Sequence, residues 1–238
     1  MFAPYYAFKK PEILDEERHR RVKVKLPSNF AFLKNVETVP IGFSEILPLT
    51  MYYPVMIGSF RERFFPFVIM GIKNQNVYVN EEGGMKVPAV PKACELYPFF
   101  VIKEGEEGEE SWSVILDMSM ACRDDEECED GKEIFDDFGE PTEFFREIKG
   151  KLTQLALDFE KAIEFCEYLK DKKIIASINL EVSCKYGTSR LKNVYIADVE
   201  KLKNIKPEVL YYLNTQGYLP VLYAMYFSAR NFKLFDLI

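Results

Sequence analysis

A chain of 238 residues, 48% of them aliphatic or aromatic and 29% charged, is long enough to bury a self-sufficient core. Its net charge of −7 provides no basic stripe to neutralise phosphates, which argues against nucleic acid as a partner. No window approaches the ~18 to 20 consecutive apolar residues of a membrane helix, and no signal-type apolar segment follows the N-terminus, so the expected compartment is the cytoplasm.

In chain order, residues 1–20 read as an extension, followed by a first strand at Val22 to Lys25. The most apolar stretch of the first half, "YYPVMIGSFRERFFPFVIMGI", is interrupted by Arg61, Glu62 and Arg63. It therefore reads as two strands, Tyr52 to Ile57 and Phe65 to Ile72, joined by a charged turn. Their continuous apolar character predicts cover on both faces. A strand at Val77 to Asn80 follows the turn "KNQN", and Gly83 and Gly84 supply the next turn. Phe99 to Lys103 and Trp112 to Asp117 pair across the acidic loop "EGEEGEES". From Pro141 the period changes. Phe144, Phe145, Ile148, Leu152, Leu155, Phe159, Ile163, Cys166 and Leu169 mark one face of a long helix, opened by Pro141 or Thr142 and closed by "KDKK". Strands Ile178 to Cys184 and Leu191 to Ala197 flank "KYGTSR". Asp198 caps a short helix, Pro207 starts another that Gly217 stops, and Pro220 begins a C-terminal helix, "PVLYAMYFSARNFKLFDLI". The fold class is α+β: a mainly antiparallel sheet covered by one long helix and the C-terminal helices, in one domain over 1–238.

Motifs that carry chemistry are sparse. The lone histidine, His19, sits in a charged run and reads as a solvated surface residue, so no Ser-His-Asp or Cys-His device is available. No C-x-x-C pair, G-x-S-x-G, phosphate loop or dinucleotide fingerprint occurs. The expected metal and cofactor content is none. Asp124, Asp125, Glu126, Glu127, Glu129 and Asp130 offer oxygen ligands for Ca²⁺ or Mg²⁺, but their spacing fails the EF-hand pattern, and a solvated loop is the plainer reading. Asp136 and Asp137, adjacent in sequence, are poorly placed to converge on one substrate. The five cysteines are odd in number and scattered, which suits free thiols in a reducing compartment, although Cys122 and Cys128 are close enough for a local disulfide or a soft metal.

Several blocks together resemble the bacterial SapC family, named for a surface-layer-associated protein. "VPIGFSEILPLTMYYPVMI" is similar to that family's opening, with Glu45, Tyr53 and Pro54 in place. "FPFVIMGIKNQNVYVNEEGGMKVPAVPKACELYPFFV", which contains Tyr97, resembles its next block. "IFDDFGEPTEFF" matches through Phe135, Gly139, Glu140, Pro141 and Thr142, and the closing block runs from Leu191 to Phe232. The family-like region is thus about 39–232. Met225 stands where the closing motif often has His, and Met85 lies near a common Trp. The resemblance implies a surface-layer association and no reaction; given the cytoplasmic expectation, surface association would need signal-independent export.

Two functions from different classes remain. One is a non-catalytic accessory protein binding a protein or small-molecule ligand in a sheet–helix cleft, with Glu45, Tyr53, Tyr97, Glu140, Thr142 and Tyr223 as candidate binding residues. The other is an enzyme using a carboxylate, Glu45 or Glu140, as its acid or base. A deep pocket with converging carboxylates favours the enzyme and a shallow apolar groove the binder. Tyr218 to Phe227 is apolar on every face, which predicts a helix buried on all sides or covered by a partner, a homodimer through Tyr223, Tyr226 and Phe227 being the specific form.

Overall fold

The computed structural model describes residues 7–60, 62–104, 111–122, 128 and 130–238. Three antiparallel sheets and a hairpin carry the strands. The largest sheet is built from β3 (Thr38–Pro40), β4 (Val55–Phe60), β5 (Arg63–Ile69), β12 (Ile175–Cys184) and β13 (Gly187–Ala197), in the order β12-β13-β4-β5-β3. A second contains β1 (Pro11–Ile13), β8 (Phe99–Glu104) and β9 (Ser111–Asp117), ordered β1-β9-β8. A third pairs the short β10 (Ala121–Cys122) and β11 (Lys132–Glu133) with β2 (Lys23–Val24). β6 (Gly71–Ile72) and β7 (Gln75–Asn76) form the hairpin.

The long helix α4 (Glu143–Asp171, 29 residues) is the element that both larger sheets share. Its buried stripe contains Phe145, Leu152, Leu155, Phe159, Cys166 and Leu169 of the period read from the sequence, with Phe165 added, while Phe144, Ile148 and Ile163 are only half-buried. Phe99 and Phe100 of β8 meet Phe145 and Phe159 at ring separations of 5.7 and 5.8 Å. On the large sheet, the Phe64 amide donates to Glu167 and the Lys170 ammonium stands over the Phe64 ring. Thr142 caps α4 by accepting from the Phe145 amide, and its hydroxyl donates to the Glu133 carbonyl. The remaining helices are α1 (Glu16–His19), α2 (Phe43–Leu49), α3 (Lys92–Glu95), α5 (Pro207–Thr215), α6 (Tyr218–Ser228) and α7 (Leu234–Leu237). An α+β architecture with mainly antiparallel strands, a long helix and C-terminal helices is therefore present.

Several local expectations are corrected. Tyr52 and Tyr53 are not in a strand: they follow α2, a helix that the apolar run concealed, and β4 starts at Val55. The β4–β5 pair is not covered on both faces. Burial alternates along β5, and Phe65 and Phe67 are only half-buried because α4 packs on the other side. The strand expected at Val77 to Asn80 is replaced by β7, two residues earlier. Lys73 and Asn74 both adopt positive φ, 53° and 57°, which makes them the turn. His19 is buried rather than solvated: its Nδ1 lies 3.0 Å from the Asp15 amide and its Nε2 is 3.5 Å from Glu12 Oε2. Cys122 and Cys128 are joined as a disulfide, so free thiols remain at Cys94, Cys166 and Cys184. α6 is buried on one face only, through Tyr218, Val221, Leu222, Met225 and Ser228. Its opposite face exposes Tyr223, Tyr226 and Phe227 by 40%, 40% and 50%. The loop "EGEEGEES" from Gly105 to Glu110, and Asp124, Asp125, Glu126, Glu127 and Glu129, lie outside the described residues.

Candidate functional site

The short helix α3 is held from both ends by residues singled out in the sequence. Before it, the Tyr53 hydroxyl donates to the Ala89 carbonyl at 2.6 Å, and at its first residue Glu45 Oε1 accepts from the Lys92 amide at 2.7 Å. After it, the Tyr97 ring stacks on Phe32 at 4.1 Å and its hydroxyl donates to Asp117 Oδ2 at 2.8 Å. Asp117 is fully buried and also accepts from the amides of Lys9, Lys10 and Ser119. Burial pushes this carboxyl upward, but those three N–H groups and the Tyr97 hydroxyl outweigh it and hold it below the ordinary carboxylate range.

Glu45 is the third helical residue of α2 and is buried. Its Oε2 accepts from the Gly42 amide at 2.9 Å, one half of a capping box. Gly42 has no side chain to cap the helix in return, and Asp158 of α4 supplies an acceptor instead: its Oδ1 accepts from the Ser44 amide at 2.9 Å. The helix-capping glycine has a steric reason, since a Cβ on Gly42 would stand 2.1 Å from Asp158 Oδ2. Burial raises the Glu45 carboxyl above its usual value, and the Lys92 and Gly42 amides and the Lys92 ammonium only partly reverse this. Ser44 Oγ donates to Asp158 Oδ2 at 2.6 Å and accepts from Lys92 Nζ at 2.9 Å. A serine–lysine nucleophile needs the amine to take the hydroxyl proton. Here that proton points at a carboxylate and the ammonium donates, so the trio ties α2, α3 and α4 together and is not set up for attack.

Between α3 and α4 this frame leaves an open groove of about 680 Å³. Leu96 and Leu155 supply its apolar floor, with Lys92, Glu147, Lys151 and Gln154 around it. Gly150 lies in the groove, in the body of α4, and a Cβ there would meet no atom within 4 Å. Glycine inside a helix costs about 1 kcal/mol relative to alanine, and none of the described residues occupies the space it leaves. Leu157, two turns along on the same side of the helix, is 60% exposed.

The structure thus brings Glu45, Tyr53 and Tyr97 together around α3, while Thr142 and Glu140 lie at the start of α4. At ~1.5 Å per residue, about 24 Å of helix separates Thr142 from Asp158, so Glu140 and Glu45 do not converge. Glu140 is exposed, and its backbone brackets Asp136. Tyr223 stands apart on α6. Sequence reasoning missed Lys92, Gly150 and Asp158; the signal open to it was a glycine in the middle of an otherwise unbroken helical period.

Part of the frame, through Glu45, Tyr53, Tyr97 and Thr142, falls within the blocks that resemble the family. A family model described as SapC matches residues 14–234, nearly the whole chain and further toward the N-terminus than the block beginning at Val39. The chain belongs to the SapC family. No curated protein and no solved structure matches it. For this SapC-family chain, Glu45, Tyr53 and Tyr97 fix one wall of the groove and Thr142 caps the helix that forms the other. Among the described residues no three His, Cys, Asp or Glu side chains gather as a metal-ligand set, and no helix is long and apolar enough to cross a membrane.

Proposed function

We propose that the protein is a non-catalytic accessory protein, which binds an apolar segment of a partner protein in the groove between α3 and α4. The observation that carries this reading is Gly150: a helix-weakening residue in an open groove whose walls are held by hydrogen bonds from Glu45, Tyr53, Tyr97 and Thr142. A preformed groove with an apolar floor and a polar rim of both signs suits a helix or extended peptide with apolar anchors. The missing side chain lets a partner backbone approach closely. The carboxylate-enzyme alternative has less support, since both oxygens of Glu45 are taken by backbone amides and Glu140 faces solvent. An accessory role at a surface layer, which the family label implies, would rest on binding of this kind.

A displayed library of short peptides, selected on the wild type and counter-selected on Gly150→Trp, tests the proposal. Enriched peptides should carry apolar anchors at helical or alternating spacing and bind the wild type at least tenfold more tightly than the variant. Enrichment of the same peptides on both proteins would overturn it.

Two further parts of the proposal rest on other observations. α6 carries no charged residue from Tyr218 to Ser228 yet exposes Tyr223, Tyr226 and Phe227, which supports pairing with a second copy through that stripe. Residence in the cytoplasm is supported by the thiols of Cys94, Cys166 and Cys184 and opposed by the Cys122–Cys128 bond. Alkylation of the protein in intact cells, read by mass spectrometry, decides between them: five reactive thiols after denaturation support the cytoplasm, three refute it.

A further inference from the structure

A second groove, of about 520 Å³, opens on the face of the large sheet that α4 and α6 leave uncovered. Phe60, Phe65, Phe67 and Leu191 line it; Phe60 is 43% exposed and the other three are half-buried. The aromatic floor is closed tightly over the backbone, since a Cβ on Gly58 would stand 3.1 Å from the Phe67 ring and 3.3 Å from that of Phe65. Along the β13 wall, Asn193 adopts a positive φ of 56° opposite a register shift between Ile178 and Leu180. Arg190 and Lys192 line the groove beside that irregularity. Arg190 Nε is bound to Glu181 Oε2 at 2.7 Å on the neighbouring strand, which leaves its terminal nitrogens for a further acceptor. Lys192 has no ion-pair partner among the described residues. Among the described residues no carboxylate lines the groove itself, Glu181 standing beside it on Arg190, in a chain whose net charge is −7.

We propose that this groove is a second binding site, independent of the one between α3 and α4, and that it takes a single free molecule of an amphiphilic anion, an apolar body with a carboxylate or phosphate head. The body covers the phenylalanine floor, which gains from leaving water. The head meets Lys192 and the outer nitrogens of Arg190 through charge-assisted hydrogen bonds. The volume is in the range of small-molecule sites.

Isothermal titration with dodecanoate below its micelle threshold reads the affinity directly. The wild type should bind it, and Lys192→Glu, which alters an exposed residue and should leave the melting temperature unchanged, should weaken binding by about tenfold or more, the scale of one charge-assisted contact. Phe60→Ser should also weaken it, and Gly150→Trp should not. Dodecyltrimethylammonium, with the same body and the opposite charge, should fail to bind. The proposal is overturned by equal dodecanoate affinity in folded Lys192→Glu, by equal binding of the cation, or by loss of binding in Gly150→Trp, which would place the ligand in the other groove. Attachment to anionic vesicles without binding of monomeric dodecanoate would likewise overturn it, because the source would then be a lipid surface.

Discussion

Two buried carboxyls pull the stability of this protein in opposite directions with pH. Asp117 is held below the ordinary range by four hydrogen-bond donors, so it contributes stability above its unfolded value of about 3.9 and loses it as pH falls through the lower folded value. Asp117→Asn should cost about 1.5 to 3 kcal/mol at neutral pH, the scale of hydrogen bonds to a charged group. Urea unfolding should also show a shallower loss of stability below about pH 4 in the variant than in the wild type. Glu45 has the reverse sign. Its folded carboxyl is raised above 4.5, so the folded state binds more protons, and stability falls as pH rises from the unfolded value through the folded one. In Glu45→Gln that decline should vanish, although the variant is weaker overall because an amide nitrogen would face a backbone N–H. The same pH dependence in wild type and Glu45→Gln would contradict the direction given for Glu45.

At the scale of elements, α2 shows a helix start assembled from two distant parts of the chain. Gly42→Ala should destabilise by about 1 to 2 kcal/mol, the value of a lost cap, because its Cβ displaces the Asp158 carboxylate. In an Asp158→Ala background the same change should be close to neutral; additive losses in that double-mutant cycle would remove Asp158 from the account. Gly150→Ala should do the opposite and raise stability by about 1 kcal/mol, since its Cβ meets nothing. These contrasts show why some elements were legible and others were not. α4 is written locally, in an apolar spacing of three and four residues and a threonine cap. α2 is not: "GFSEILPL" contains an internal proline, and its cap comes from Asp158, 114 residues away. The outer face of β5 misled for a related reason, since Phe65 and Phe67 look like core residues in sequence whether or not a helix covers them.

For the whole molecule, the family blocks picked out scaffold: Glu45, Tyr53, Tyr97 and Thr142 were visible as motif positions, and all four hold the groove walls in place. The groove between those walls was not visible, because it depends on which faces of α3 and α4 remain uncovered after packing. The exposed stripe of α6 belongs to the same class of surface. Tyr226 is 40% exposed, so Tyr226→Glu should fold normally and, if α6 pairs with a second copy, should shift light scattering at high concentration from dimer to monomer. A monomeric wild type would exclude that pairing and leave the proposal for the α3–α4 groove untouched. The groove itself is tested most directly by amide NMR of the labelled protein titrated with a peptide selected on the wild type. Shifts should be confined to α3 and the Glu147–Leu155 turns of α4, with Gly150 among the largest, and none should occur with Gly150→Trp; shifts centred elsewhere, or an unchanged titration of that variant, would rule the groove out as the peptide site.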